Sequence, residues 1–121
     1  MKKLSILNMQ IVAITALDKS GLTYQWFTKQ GKQKHTGSLR WGEILKADVF
    51  KRDMVIYDLI CMQLTPGEGD SIEVDEDDVY WEELVRELPK YLIGFKKWAE
   101  WFIDVAFPAF KTNLHNVYTK K

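Results

Sequence analysis

Val55-Ile56-Tyr57-Asp58-Leu59-Ile60-Cys61-Met62-Gln63-Leu64 is the most apolar run in the chain, and its reading decides the fold. Ten residues bounded by turn signals fit a central strand buried on both faces better than an amphipathic helix. The next stretch, Thr65-Pro66-Gly67-Glu68-Gly69-Asp70, combines a proline with two glycines and is the strongest turn in the sequence, so it closes a hairpin. Ser71-Ile72-Glu73-Val74-Asp75 then returns with strict alternation. That pattern predicts Ile72 and Val74 on the core face and Ser71, Glu73 and Asp75 in water.

Towards the N-terminus the pattern stays strand-like. Residues 9–17 are rich in β-branched side chains, Asp18-Lys19-Ser20-Gly21 supplies a turn, and Leu22-Thr23-Tyr24-Gln25-Trp26-Phe27-Thr28 reads as the second arm of a hairpin. Gln30-Gly31-Lys32 is a further turn, after which residues 34–40 pair back and run into Trp41-Gly42-Glu43-Ile44. Residues 46–50 make a short strand whose charged end is Lys51-Arg52-Asp53.

Towards the C-terminus the period changes. Asp77 or Asp78 is placed to cap a helix with Glu82 and Glu83 in its first turn, where carboxylates favour the positive end of the macrodipole. Trp81, Leu84, Val85 and Leu88 form its apolar stripe, ending near Pro89. A second stripe, Trp98, Trp101, Phe102 and Val105, is stopped by Pro108. Phe107, Phe110 and Leu114 continue an apolar segment, and Val117-Tyr118 adds a last strand.

The chain has 121 residues, of which 46% are hydrophobic, 28% charged and 13% aromatic, with a net charge of zero. One domain over residues 1–121 follows, and disorder or a polybasic tail is excluded. Cys61 is the single cysteine, which rules out an intramolecular disulfide. With only His35 and His115 besides it, a zinc site of the usual kind has too few ligands. The basic start at Met1-Lys2-Lys3 resembles a secretory signal, but Asn8 and Gln10 interrupt the apolar run behind it. No stretch approaches the 18 or so apolar residues of a membrane span. A cytoplasmic protein with an ordinary reduced thiol is the expectation.

Charge is divided by region. Residues 1–52 carry ten Lys/Arg against three Asp/Glu, residues 53–88 one Arg against twelve acids, and residues 89–121 six basic against two acidic. Such blocks pair across a compact fold, or else leave a dipolar surface for a charged partner.

Motifs for chemistry fail one by one. The acidic run from Asp70 to Glu83 puts Ile72 and Val74 where a calcium loop needs ligands or turns. A metal-dependent nuclease could draw on Asp58, Glu73 and Asp75, but the lysine that orients its water is missing from the following positions. The glycines at 67 and 69 lack the Lys-Ser/Thr of a phosphate loop and sit among acids. Tyr24, Trp26 and Phe27 among lysines have the aromatic and basic character of a nucleic-acid platform without its glycine pattern. Cys61 reads as a small core residue. Lys51-Arg52-Asp53, followed by Asp58, is either a salt network at a hairpin end or an anion clamp in which Arg52 provides the fork and Asp53 orients it.

Trp41-Gly42-Glu43-Ile44, Phe50-Lys51-Arg52-Asp53, Asp58-Leu59-Ile60-Cys61, Trp81-Glu82-Glu83-Leu84 and Phe107-Pro108-Ala109-Phe110-Lys111-Thr112-Asn113 together resemble a group of small bacterial proteins of unknown function. The order of elements is similar to bacterial pleckstrin-homology-like domains. That likeness implies binding of peptides, proteins or lipid headgroups rather than catalysis, with the Trp98 helix and a final strand as additions that would cover the ligand groove.

The expectation is therefore an α+β domain: a bent antiparallel sheet or partly open barrel of six to seven strands, closed by two C-terminal helices. Its expected role is a non-enzymatic protein-binding module, immunity-type in its most concrete form, without cofactor or metal. The partner is another protein or a second copy, engaged through a sheet edge, the acidic block or the aromatic C-terminal segment. Trp41, Lys51, Arg52, Asp53, Asp58, Trp98 and Trp101 are the candidate binding residues. The rival readings are a metal-dependent hydrolase or nuclease around Asp58, Glu73 and Asp75, and an anionic-lipid or nucleic-acid binder using the basic N-terminal half.

Overall fold

Residues 9–17 form one extended segment broken at Val12, and that break organises the fold. In the computed structural model, which describes residues 9–27, 33–108 and 111–121, β1 (Met9–Ile11) and β2 (Ala13–Leu17) belong to different sheets. β1 lies parallel to β7 (Ser71–Asp75), and the Val12 N–H still donates to the Glu73 carbonyl at 3.0 Å. β2 instead pairs antiparallel with β3 (Gly21–Phe27), which pairs with β4 (Lys34–Arg40). Gly21 is required in that hairpin, since a Cβ there would lie 2.2 Å from the Leu39 carbonyl oxygen. The turn expected at residues 30–32 lies outside the described residues.

The larger sheet has the order β1-β7-β6-β5-β8, with β5 at Ile44–Asp53, β6 at Asp58–Pro66 and β8 at His115–Thr119. β6 is its central strand, and Leu59 through Leu64 are all buried, as the apolar run predicts. Its start differs from the sequence reading. Val55, Ile56 and Tyr57 are exposed in the turn, and β5 runs on to Asp53 instead of ending at Phe50. The cross-strand pairs Lys51↔Ile60, Arg52↔Leu59 and Asp53↔Asp58 carry the ladder through the charged residues.

The two faces of this sheet differ. Val49, Ile60, Met62, Leu64, Ile72, Val74 and Val117 join Leu22 and Leu39 of the small sheet and the helices in the main core. The other face holds a smaller cluster of Phe50, Leu59 and Cys61, beside buried Asp48, Gln63 and Glu73. Glu73 corrects the alternation rule, because it is 1% exposed instead of solvated. Arg52 reaches diagonally from β5 and donates to Glu73 Oε1 at 2.5 Å, so the carboxylate is buried as half of an ion pair.

Helix α1 (Trp81–Tyr91) packs Trp81, Leu84, Val85 and Leu88 into the main core. Asp78 does not cap it. Its Oδ1 accepts the Tyr80 N–H at 2.9 Å and its Oδ2 the Ile14 N–H at 2.9 Å, so it ties the approach to α1 onto β2. Pro89 does not end the helix either. The missing N–H falls in the last turn, where one lost bond is tolerated and Leu92 N–H still reaches the Leu88 carbonyl at 2.9 Å. Helix α2 (Trp98–Ala106) begins with Glu100 accepting the Lys97 N–H at 2.8 Å and buries Trp101 and Val105. Phe107 and Leu114, read as a continuing apolar segment, are exposed, and Phe110 lies outside the described residues. The α+β class holds, with two sheets joined by the broken first strand and not closed into a barrel.

Candidate functional site

Five of the seven candidate residues serve the fold. Trp41 opens a 3-10 turn (Trp41–Glu43), is buried, donates from Nε1 to the Asp18 carbonyl at 3.0 Å and stacks on Tyr91 at 5.3 Å. Trp101 is buried in the main core, its Nε1 without a hydrogen-bond partner among the described residues. Lys51 is buried as well, and its Nζ donates to Asp58 Oδ2 at 3.0 Å, the Ala106 carbonyl at 2.7 Å and the Pro108 carbonyl at 2.5 Å. A buried ammonium needs such partners, and here it satisfies the orphan carbonyls at the C-terminus of α2. Asn113 Nδ2 adds bonds to the Val105 and Pro108 carbonyls, and Lys51 N–H donates to Thr112 O at 2.7 Å. The stretches around Lys51, Asp58 and Pro108 thus meet in one structural knot.

Arg52 pairs with Glu73 on the opposite side of the sheet, and its guanidinium lies 5.5 Å from the Phe50 ring. Asp53 is exposed, with Oδ1 accepting the Val55 N–H at 2.8 Å. The anion clamp is therefore not assembled: Lys51 and Arg52 point to opposite faces, each occupied by its own carboxylate. The same alternation separates the three nuclease candidates. Asp58 lies on the face of Ile60 and Met62, whereas Asp75 and Glu73 sit opposite Cys61 and Gln63 on the other face.

Burial pushes Asp75 above the usual carboxylate range, with the charges of Asp77 and Asp78 adding to it. Burial also pushes the Cys61 thiol up to about 12, helped by the negative charge of Glu73. Such a thiol stays protonated at neutral pH and is no nucleophile. The basic N-terminal half loses Lys51 and Arg52 to internal pairs, so its surface is less positive than its composition. No helix among the described residues is long and apolar enough to cross a membrane.

Trp98 stands apart. It is 46% exposed and stacks on Phe102 at 4.3 Å, one face over from the buried Trp101 and Val105. These rings form one wall of a groove of about 860 Å³ between the two helices, which Trp81, Val85, Pro89 and Ala99 complete. The volume lies within the roughly 300–1,000 Å³ of ordinary ligand sites. Its charged lining is mixed: Glu76 and Glu82 come from before α1 and its first turn, Arg86 and Lys90 from its middle and end, both paired with Glu87 at 3.1 and 2.9 Å, and Lys97 from the residue before α2.

Sequence reasoning singled out Trp98 but not Phe102, which it placed with Trp98, Trp101 and Val105 in one apolar stripe, and it read Pro89 only as the stop of α1. No separate signal was present: Trp98, Trp101, Phe102 and Val105 fall within about 100° of one another, the width of an ordinary core-facing stripe, and only the packing of α2 leaves Trp98 half-exposed. Comparison of the chain with protein-family models, with curated proteins and with solved structures finds no match.

Proposed function

We propose that this protein is a non-enzymatic protein-binding module whose binding surface is the α1–α2 groove. The occupant is an apolar segment of a partner protein, carrying acidic side chains towards Arg86, Lys90 and Lys97. The observation that supports this reading is the Trp98–Phe102 stack, with Trp98 half-exposed, in a groove whose lining is mainly apolar and carries charges of both signs. Aromatic side chains in a concave, desolvated setting carry most of the binding energy in protein interfaces. The charged lining adds selectivity, because a segment that sets like charges against these side chains is disfavoured.

Selection from a displayed library of random 16-residue peptides tests it. Binders should share apolar anchors with an acidic flank, and Trp98→Ala should weaken them by about 30-fold or more, the cost of removing an interface hot spot of about 2 kcal/mol. Amide shifts on binding should map to Val85, Trp98 and Phe102. Binders that map elsewhere, or none that depend on Trp98, would remove the reading.

A further inference from the structure

Met54, Val55, Ile56 and Tyr57 form the tip of the β5–β6 hairpin, and all four are exposed, Val55 to 85% and Ile56 to 84%. The turn is tight, with Met54 N–H donating to the Tyr57 carbonyl at 2.9 Å. Val55 adopts φ +79° there. The first central position of such a loop calls for glycine, and a β-branched residue at positive φ is strained. The chain therefore holds an apolar pair in water and accepts backbone strain to do so, a combination that points to contact with a second surface. Asp53 stands exposed at the stem. A socket that fits this tip is apolar with a basic rim.

The lining of the α1–α2 groove includes that chemistry: apolar Pro89, Trp98 and Ala99 with the cations Lys97, Arg86 and Lys90, the last two sharing the single carboxylate of Glu87. We infer that the hairpin tip of one molecule docks into this groove, beside Lys97, on a second copy of the chain, head to tail. The inference rests on the groove being a binding surface, as proposed above. Docking is intermolecular, since the tip beyond Lys51 adjoins the end of α2 while the groove opens at its start, and the exposure of Val55 and Ile56 leaves them uncovered within their own molecule. Asp53 faces Lys97 in this arrangement, since Glu76 and Glu82, also in the lining, repel it. The contact is heterologous, so each molecule keeps one tip and one groove for neighbours, and assembly extends as a chain or closes into a ring.

Sedimentation velocity over a concentration series is the test. The wild-type protein should associate reversibly with a Kd on the order of 10 µM, as befits a small interface. Ile56→Asp removes the tip and Trp98→Glu the groove, and each variant alone should remain monomeric. An equimolar mixture should give a heterodimer and nothing larger, because only one tip and one groove survive. Ala99→Arg serves as a second groove variant, with near-ultraviolet circular dichroism confirming the fold of each. Wild-type protein that stays monomeric throughout, association that persists in Ile56→Asp, or a mixture that stays monomeric would overturn the inference. If the wild type is monomeric but library peptides still bind at Trp98, self-docking falls and the binding-module reading stands. If neither occurs, both fall.

Discussion

Val55 is a residue whose side chain and backbone disagree. Its positive φ costs about 1–2 kcal/mol in an L-residue, and glycine at the same place removes that cost while adding roughly 0.5–1 kcal/mol of unfolded-state entropy. Val55→Gly should therefore raise Tm by about 2–3 °C in calorimetry. An unchanged or lowered Tm would show that the turn is not strained. Cys61 makes a second prediction at this scale. A thiol raised to about 12 in the fold contributes its stability fully below its ordinary value and loses it as pH climbs towards the folded one. Urea midpoints should thus hold level to about pH 8.5 and fall beyond it, and Cys61→Ala should fall less steeply over that range. Iodoacetamide should label Cys61 only when urea opens the protein.

Elements are held at their ends by buried charge. Lys51 belongs to β5, yet it closes α2 by donating to the Ala106 and Pro108 carbonyls while Asp58 neutralises it. Lys51→Met removes one partner of a buried pair and takes a donor from Asp58 Oδ2 and the Ala106 carbonyl, while Asn113 still serves the Pro108 carbonyl, a loss of about 3–5 kcal/mol. Hydrogen exchange should accelerate first in α2 and β5. At the end of β7, the burial that raises the Asp75 pKa disfavours its charged form in the fold. Stability from such a group is present at acid pH and lost as pH rises through the folded value. Asp75→Asn keeps an acceptor for the Asp77 N–H and should raise the denaturation midpoint at pH 7, with the gain shrinking as pH falls through the carboxylate range. A variant less stable at pH 7 would contradict this.

At the scale of the whole molecule, the two sheets share the main core and meet along the chain where β1 passes into β2. Val12 is the pivot, and Asp78 and Tyr80 pin β2 to the approach of α1 through Ile14 N–H and the Thr15 carbonyl, the latter at 3.1 Å. Asp78→Ala leaves two N–H groups without their acceptor and should cost about 2 kcal/mol. Amide exchange in β2, β3 and β4 should quicken more than in β5 and β6, and uniform acceleration would mean that the small sheet is not a separate unit. Placing both helices on the main core face also creates the groove, because α2 turns Trp101 and Val105 inward and leaves Trp98 and Phe102 at the seam with α1.

Local pattern was sufficient wherever neighbours along the chain decide the outcome. The apolar run fixed β6 at the centre, the Pro-Gly turn joined it to β7, and the 3.6-residue stripes placed α1 and α2. Only the tertiary structure decided that Lys51 caps a helix 55 residues away, that Glu73 is buried against Arg52, and that residues 9–17 are shared between two sheets. Whether a charged side chain is solvated or enclosed depends on partners brought in by folding from distant positions. Periodicity fixes which way a side chain points, and only packing fixes what it meets there.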